Sequence, residues 1–156
     1  MTGEISQHSP KDSVHLVLTR VYATHFLLFL IGVSLDVVFR LEFFSGPFMV
    51  PVGVVFLISA SMLILWAQNT SRNLPKENIK AESFCRGPYC YTRNPTYLGL
   101  LFLMLGFGII ANAFFVVLST LVTFFVTKFT FQRREEEILT KKYGAPYLEY
   151  KKMVKF

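Results

Sequence analysis

The sequence predicts an all-α integral membrane protein, a helical bundle of about four transmembrane helices with a cytosolic helical segment at its C-terminus. The 156-residue chain, which fits one domain over residues 1–156, is 53% hydrophobic and contains 17 phenylalanines. A soluble domain of this size needs less apolar surface. Its uncharged runs are long enough to cross a hydrocarbon core of about 30 Å, which takes about 20 helical residues. Its basic residues lie almost entirely outside those runs.

The first two spans are predicted at about residues 21–39 and 48–67. The second contains an uncharged run of 20 residues from Phe48 to Ala67. The first contains two ionisable residues, His25 and Asp36. Asp36 lies near the end of its span, so its carboxylate either reaches the interface or faces the interior of the bundle.

The last two spans are predicted to form a helical hairpin. The 34 residues from Asn94 to Thr127 carry no charge, and one helix of that length would be about 51 Å long. Because this exceeds the bilayer even for a tilted helix, we expect spans at about 96–110 and 113–131, with a turn near Gly108 to Ala113. The second arm continues past Lys128, whose long side chain can reach the interface.

The distribution of basic residues predicts the orientation of these spans. With four spans, all of the 16 Lys and Arg residues except Arg40 fall on one side of the membrane. The positive-inside rule makes that side cytosolic, so both termini face the cytosol, in a prokaryotic inner membrane or the endoplasmic reticulum. Anionic head groups account for the net charge of +6, and we expect no nucleic-acid partner.

The two cysteines, Cys85 and Cys90, lie in the predicted cytosolic loop between the second and third spans. Their spacing matches no common zinc pattern and no histidine lies nearby, so we expect no metal site. Because the cytosol keeps thiols reduced, we expect two free thiols.

The segment RGPYCYTRNPTYLG, residues 86–99, stands at the foot of the hairpin. Gly87-Pro88 and Asn94-Pro95 are turn-forming pairs, and the second suits the start of a helix. The segment is therefore either a well-made helix start with interfacial tyrosines or a ligand site. In the second interpretation a glycine lets the backbone approach a ligand, and Arg93 beside a helix N-terminus favours a carboxylate or phosphate.

A second polar segment, RREEEILTKKYGAPYLEY, covers residues 133–150. Adjacent helical residues point about 100° apart, so Glu135 to Glu137 cannot all face one pocket. Such a run is usually a solvated, ion-paired helix face. Tyr143-Gly144 indicates a helix end, and Ala145-Pro146 starts a short amphipathic helix with one face that could rest on the membrane. That face consists of Tyr147, Tyr150, Met153 and Val154.

The order of these motifs resembles a known superfamily. The chain has Gly-Pro-Tyr at 87–89, Arg-Asn-Pro-x-Tyr-x-Gly at 93–99, an apolar hairpin, Glu135-Glu136, and Tyr-Gly-x-x-Tyr-x-x-Tyr at 143–150. This set resembles the isoprenylcysteine carboxyl methyltransferase and phospholipid methyltransferase superfamily of integral membrane enzymes. Asn94 stands where the stricter pattern has histidine, and an amide can form hydrogen bonds but cannot titrate.

The resemblance implies an enzyme that uses S-adenosylmethionine at the cytosolic membrane face and methylates a lipid or lipidated acceptor. The cofactor segments would be residues 84–99 and 132–156. Arg93 would meet the methionine carboxylate, and Glu136 would make the deepest contact, so both are the catalytic candidates. The implied cofactor-binding residues are Gly87, Pro88, Tyr89, Arg93, Asn94, Tyr97, Gly99, Glu135 and Glu136. The implied acceptor-side residues are Tyr147 and Tyr150.

Three functions remain open on the sequence. The isoprenylcysteine carboxyl methyltransferase-like branch matches the motifs more closely, and its carboxylate acceptor would need a cation such as Lys151 or Lys152. A phospholipid N-methyltransferase would need a base for its amine, such as a glutamate that does not hold the cofactor. A non-catalytic membrane scaffold would use the glutamates and the basic tail only to bind head groups or a partner, and would not bind the cofactor.

Overall fold

The computed structural model describes residues 10–41, 46, 48–73 and 80–154, with side chains from Leu16 onward. The regular elements in these ranges are all helical, which confirms the predicted all-α class. The α-helices are α1 (Pro10–Phe39), α2 (Met49–Arg72), α3 (Ala81–Phe84), α4 (Pro95–Ile110), α5 (Phe114–Val126), α6 (Gln132–Tyr143) and α7 (Ala145–Met153). A 3₁₀ turn covers Gly87–Cys90, and a π-helical segment at Thr127–Phe131 joins α5 to α6.

Three helices in the described ranges are long and apolar enough to cross a membrane. They are Leu16–Phe39 within α1, the whole of α2, and the continuous rod Phe114–Tyr143 formed by α5, the π segment and α6. The shorter α4 is also apolar, with 16 residues. Most of the apolar side chains on these helices face outward, away from the rest of the protein. Such exposed apolar surface is typical of helices that lie in a membrane.

A tight turn joins α4 to α5 in the region where the sequence predicts the hairpin turn. The Ala113 N–H donates to the Gly108 carbonyl at 2.8 Å. Asn112 adopts a positive φ of 51°, a conformation that asparagine tolerates better than most residues. The predicted turn near Gly108 to Ala113 is therefore confirmed.

Glycines allow α2 and α4 to lie close together. A Cβ atom on Gly99 would come within 2.5 Å of the Ile64 side chain, and one on Gly106 would come within 2.9 Å of the Gly53 carbonyl oxygen. Real Cβ atoms do not approach other atoms so closely, so larger side chains would push these helices apart. This contact fixes the first arm of the hairpin against α2.

Asp36 connects the end of α1 to the beginning of α5. Its Oδ1 accepts a hydrogen bond from the Phe115 N–H, and its Oδ2 accepts one from the Val116 N–H, each at 2.9 Å. The first N–H groups of a helix have no partner within the helix, so this carboxylate satisfies two of them. Of the two orientations left open by the sequence, the structure has the one in which Asp36 faces a neighbouring helix.

The opposite end of the bundle carries the polar segments 80–94 and 132–154, and we call it the polar end. Here α6 ends at Tyr143, and Gly144 with a φ of +62° turns the chain into α7. This confirms the predicted helix end and restart. The apolar face of α7 is covered by α3, because Tyr147, Tyr150 and Val154 are buried against Phe84 and its neighbours.

The prediction that this face of α7 rests on the membrane is therefore wrong for Tyr147, Tyr150 and Val154. Only Met153 of the predicted face is exposed, at 56%. The Phe84 ring packs against Tyr147 and Tyr150 with centroid distances of 5.7 and 5.6 Å. The short α3, which has no strong sequence signal, supplies the apolar surface that the bilayer was expected to supply.

The prediction of two free thiols is also wrong in this structure, because Cys85 and Cys90 form a disulfide. The 3₁₀ turn between them brings their Cα atoms to 4.5 Å, within the range that a disulfide bridges. The compartment alone favours reduced thiols, whereas the local 3₁₀ turn brings the two cysteines within bonding reach.

Candidate active site

The centre of the polar end is a carboxylate held between two cations. Glu136 Oε1 lies 2.5 Å from Arg93 Nη1, and Glu136 Oε2 lies 2.5 Å from Lys151 Nζ. The Arg93 and Glu136 side chains are 13% and 15% exposed, whereas Lys151 is 42% exposed. The Arg93–Glu136 pair is therefore largely removed from water, where removing one partner leaves a costly unpaired charge.

The local chain geometry brings these three residues together from three elements. Arg93 stands just before α4, which begins with Asn94 at its N-cap and Pro95 in its first turn. Glu136 lies in α6, and Lys151 lies in the last turn of α7. A π-helical turn contains more residues than an α-helical turn, so the segment before α6 changes the face that α6 presents to α4.

The neighbouring glutamate makes a second contact with α4. The Tyr97 hydroxyl donates to Glu135 Oε2 at 2.6 Å, and Tyr97 is only 5% exposed. Glu137 is exposed. Thus two of the three consecutive glutamates reach the foot of the hairpin and the third faces outward, which is the division that the helical spacing requires.

The motif Gly87-Pro88-Tyr89 forms the 3₁₀ turn, which is held by contacts on both sides. The Tyr150 hydroxyl donates to the Tyr89 carbonyl at 2.7 Å. On the other side, a Cβ atom on Gly87 would come within 2.9 Å of Trp66 Nε1. Pro88 is fully buried.

The predicted glycine contacts are thus made to α2 and not to an open pocket. Gly87 faces Trp66, and Gly99 faces Ile64. The structure brings Arg93, Asn94, Tyr97, Glu135 and Glu136 together. It does not bring Gly87, Pro88 or Gly99 to the same surface.

Three tyrosines at the polar end keep their hydroxyl protons over a wide pH range. Burial is the main reason why the pKa of Tyr147 is raised, and the negative charge of Glu136 adds to it. Burial likewise raises the pKa of Tyr150 to about 12 and raises the pKa of Tyr89 above its usual value. All three hydroxyls can therefore act as hydrogen-bond donors at neutral pH.

A cavity of about 690 Å³ opens beside the Arg93–Glu136 pair. Its polar wall contains Arg93, Asn94 and Glu136, and its apolar wall contains Leu98, Leu101 and Phe124. Its volume is that of a typical small-molecule pocket, about 300–1,000 Å³. The cavity can therefore hold a ligand with one charged end and one end among apolar side chains.

Sequence reasoning missed some of the residues that line this cavity. Thr127, Lys128 and Gln132 line it from the rod that carries Glu136. Gln132 lies four residues before Glu136, so helical periodicity could have indicated it. Thr127 begins the π segment, which breaks that periodicity, and the sequence carried no signal for the break.

The model of the phospholipid methyltransferase family matches residues 41–146, about two thirds of the chain. The protein belongs to the phospholipid methyltransferase family. The matched region contains α2, the 3₁₀ turn, the hairpin, Glu135 and Glu136, and it ends at the beginning of α7. Comparison with curated proteins and with solved structures gave no match.

Membership of the phospholipid methyltransferase family confirms the superfamily that the motifs indicated. The family implies methyl transfer within a membrane, and the three long apolar helices agree with an integral membrane protein. Of the residues that the motifs share with the superfamily, Arg93, Asn94, Tyr97 and Glu136 line the cavity at the polar end. Glu135 is bonded to Tyr97, whereas Tyr89, Tyr147 and Tyr150 are not among the residues that line the cavity.

Proposed function

We propose that this protein transfers a methyl group from S-adenosylmethionine to a lipid or lipidated acceptor at its polar end. The observation that carries the proposal is the Arg93–Glu136 pair at the wall of a cavity that continues between apolar side chains. A polar cofactor and a membrane-bound acceptor must meet in a site that touches both phases. The arrangement of this cavity supports such a meeting.

The side chains present fit S-adenosylmethionine. Its amino-acid end carries a carboxylate, which the Arg93 guanidinium would bind, and an ammonium group, which Glu136 would bind. That ammonium would replace Lys151, the more exposed of the two cations on Glu136. Tyr97 and Glu135 would meet the ribose hydroxyls. When bound, the cofactor supplies an electrophilic methyl group on its sulfonium.

The protein's contribution would be binding, orientation and exclusion of water. Asn94 would form hydrogen bonds to the cofactor without moving a proton, because an amide does not titrate. Tyr147 and Tyr150 would close the site through the contact of α7 with the 3₁₀ turn. Gly87, Pro88 and Gly99 would act indirectly, by holding that turn and α4 against α2.

The proposed topology has four spans with both termini in the cytosol. The fourth span would be α4, with a length of about 24 Å for its 16 residues. This is shorter than a hydrocarbon core of about 30 Å, so one end of α4 would lie inside the bilayer. With the polar end cytosolic, the cavity beside Arg93 would then open at the level of the lipid head groups.

Two classes of acceptor are compatible with this site. An isoprenylcysteine carboxyl methyltransferase-like reaction would use a carboxylate, which Lys151 could bind after leaving Glu136. A phospholipid N-methyltransferase reaction would use an amine, which needs a group to accept its proton. The products differ chemically, because a methyl ester is cleaved by base and an N-methyl group is not.

The function is tested by incubating purified protein with S-adenosylmethionine labelled in its methyl group and, in separate reactions, a total lipid extract or a prenylated cysteine. We expect label in the organic phase, and whether base treatment releases that label as volatile methanol identifies the acceptor class. Glu136→Gln should reduce the rate at least tenfold, whereas Glu137→Gln, which changes an exposed neighbour, should not. Folded wild-type protein that labels neither lipids nor a prenylated cysteine would favour the scaffold.

A further inference from the structure

The short helix α3 and the last helix α7 pack against each other at the polar end, and we call them the α3/α7 pair. Within the described residues α3 packs mainly against α7, with Phe84 on one side and Tyr147 and Tyr150 on the other. The helix α7 continues from α6 at Gly144 and also packs against α6. The position of the pair therefore depends on the links that join it to the rest of the bundle.

The first of these links is the Cys85–Cys90 disulfide. Cys85 directly follows α3 and packs against the buried face of α7, and Cys90 is the last residue of the 3₁₀ turn. That turn is fixed to α2, because Pro88 is fully buried and Gly87 lies against Trp66. The disulfide therefore ties the α3/α7 pair to the part of the bundle that α2 holds in place.

The second link is a hydrogen bond to the loop that the disulfide closes. The two cysteines are five positions apart, and Tyr89 lies between them. Its carbonyl accepts a hydrogen bond from the Tyr150 hydroxyl at 2.7 Å, and Tyr150 is only 3% exposed. Without the covalent closure the loop has more accessible conformations, so this carbonyl loses its fixed position. Because a buried hydroxyl without an acceptor is unfavourable, α7 is then released from the turn.

The third link is the ion pair of Lys151, the residue after Tyr150. Lys151 Nζ lies 2.5 Å from Glu136 Oε2, on the carboxylate that would bind the ammonium group of the cofactor. A cationic ligand group must displace Lys151 to reach Glu136. The Lys151 contact is thus autoinhibitory, and the disulfide favours it by holding α7. Tyr147 and Tyr150 can close over a bound cofactor only after Lys151 has moved.

Both redox states of the cysteine pair are accessible in the proposed topology. Cys85 and Cys90 each keep partial solvent exposure, so a soluble thiol can reach them. With the polar end cytosolic, the pair lies in a compartment that reduces disulfides. Disulfides that form there are usually transient and either catalytic or redox-sensing. A disulfide at this place is therefore expected to open and close with the redox state of the cell.

Reduction by a dithiol proceeds through thiol–disulfide exchange. A thiolate of the dithiol attacks one sulfur of the pair, which breaks the Cys85–Cys90 bond and forms a mixed disulfide. The second thiol of the dithiol attacks the mixed disulfide and releases the protein with two thiols. Two electrons and two protons pass to the protein, and the dithiol becomes a disulfide. A disulfide reagent oxidises the pair again by the reverse steps.

We propose that the Cys85–Cys90 pair is a redox switch of the candidate site. The disulfide holds the α3/α7 pair where Lys151 occupies Glu136, and reduction by a dithiol releases Lys151 and opens Glu136 to a cationic ligand group. Arg93 keeps its place in both states, because α4 packs closely against α2. The identity of the ligand group as the ammonium of S-adenosylmethionine rests on the proposed function.

The first measurement is hydrogen exchange of α7, followed by mass spectrometry, in protein oxidised with glutathione disulfide and in protein reduced with dithiothreitol. Maleimide labelling counts the free thiols in each sample. We expect exchange in α7 to be about tenfold faster in the reduced protein, because the released helix opens more often. Exchange in α2 should not change. The double variant Cys85→Ser/Cys90→Ser should exchange at the reduced rate with and without dithiothreitol.

The second measurement is calorimetry with S-adenosylmethionine in both redox states. Reduced wild-type protein should bind about tenfold more tightly than oxidised protein, a coupling in the range typical of linked sites. By the same linkage, the cofactor should lower about tenfold the ratio of reduced to oxidised dithiothreitol that opens half of the disulfide.

Two lysine variants identify the group that the switch moves. Lys151→Met keeps the length of the side chain and removes its charge, so both redox states should bind the cofactor with the affinity of reduced wild-type protein. Lys141→Met is the matched control, because Lys141 is an exposed lysine in the last turn of α6. This control should keep the redox dependence of the wild type.

A cysteine pair that glutathione disulfide does not oxidise, or equal exchange of α7 in the two redox states, would overturn the proposal. Equal cofactor affinities of oxidised and reduced wild-type protein would also overturn it, as would redox dependence that persists in Lys151→Met. Wild-type protein that shows the change in exchange but binds no cofactor in either state would contradict the proposed function alone.

Discussion

Gly87 and Gly144 are two glycines with positive φ, +54° and +62°, but their surroundings differ. A Cβ atom on Gly87 would come within 2.9 Å of Trp66 Nε1 and 2.8 Å of Thr70 Oγ1. A Cβ atom on Gly144 would meet no heavy atom of the described residues within 4 Å. A substitution at Gly144 therefore introduces backbone strain alone, whereas the same substitution at Gly87 introduces backbone strain and steric contact.

We expect Gly87→Ala to destabilise the protein more than Gly144→Ala. Both changes force alanine into a left-handed backbone region, which costs about 1–2 kcal/mol. Gly87→Ala additionally pushes the 3₁₀ turn away from α2, at a further cost of about 1–3 kcal/mol. The thermal unfolding midpoints of the two variants in detergent measure the difference. Equal midpoints would show that Trp66 and Thr70 do not confine the turn.

At the residue scale the sequence indicated the chemistry of the site better than the contacts of each side chain. The helical spacing of Glu135 to Glu137 required that they diverge, and the structure shows which two turn inward. The sequence could not show that Arg93 and Glu136 pair with each other, because they are 43 positions apart. It also could not show that Gly87 faces a tryptophan.

At the scale of the elements, Asp36 holds the hairpin in place. It satisfies two N–H groups at the start of α5 from the end of α1. A capping side chain normally comes from the same chain segment as its helix, and this one comes from 79 residues away. The position of the whole α5 rod, including Thr127 and Glu136, thus depends on this contact.

We expect Asp36→Ala to cost about 1–2 kcal/mol, as loss of a helix cap does. Asp36→Asn should cost less, since one amide oxygen can still accept. Ser34→Ala is the control, because its exposed hydroxyl donates to the Leu30 carbonyl within its own helix, and it should change stability by less than about 0.5 kcal/mol. Thermal unfolding in detergent measures all three. An Asp36→Ala variant as stable as Ser34→Ala would show that α5 needs no cap from α1.

Elements that follow from local sequence were predicted, and elements that follow from tertiary contact were not. The hairpin turn follows from a charge-free run too long for one helix, and the end of α6 follows from Tyr143-Gly144. The π segment has no local signal, because it is defined by how the rod packs. The burial of α7 depends on the four-residue α3, which is too short to predict from periodicity.

At the scale of the whole molecule, the two ends of the bundle differ in their contacts. At one end, Asp36 and the hairpin turn hold α1, α4 and α5 in position relative to one another. The polar end gathers Arg93, Glu136 and Lys151 beside a cavity that continues into the apolar bundle. The proposed function depends on this division, since a membrane methyltransferase must hold a polar cofactor next to an acceptor that stays in the lipid.

The most direct test of this account is calorimetry of S-adenosylmethionine binding to the purified protein in detergent. We expect wild-type protein to bind, and Arg93→Ala and Glu136→Gln each to weaken binding at least tenfold, because each removes a charged hydrogen-bond partner of the cofactor. Glu137→Gln should bind as wild type does. Folded wild-type protein that does not bind the cofactor, or equal losses in Glu136→Gln and Glu137→Gln, would contradict the account.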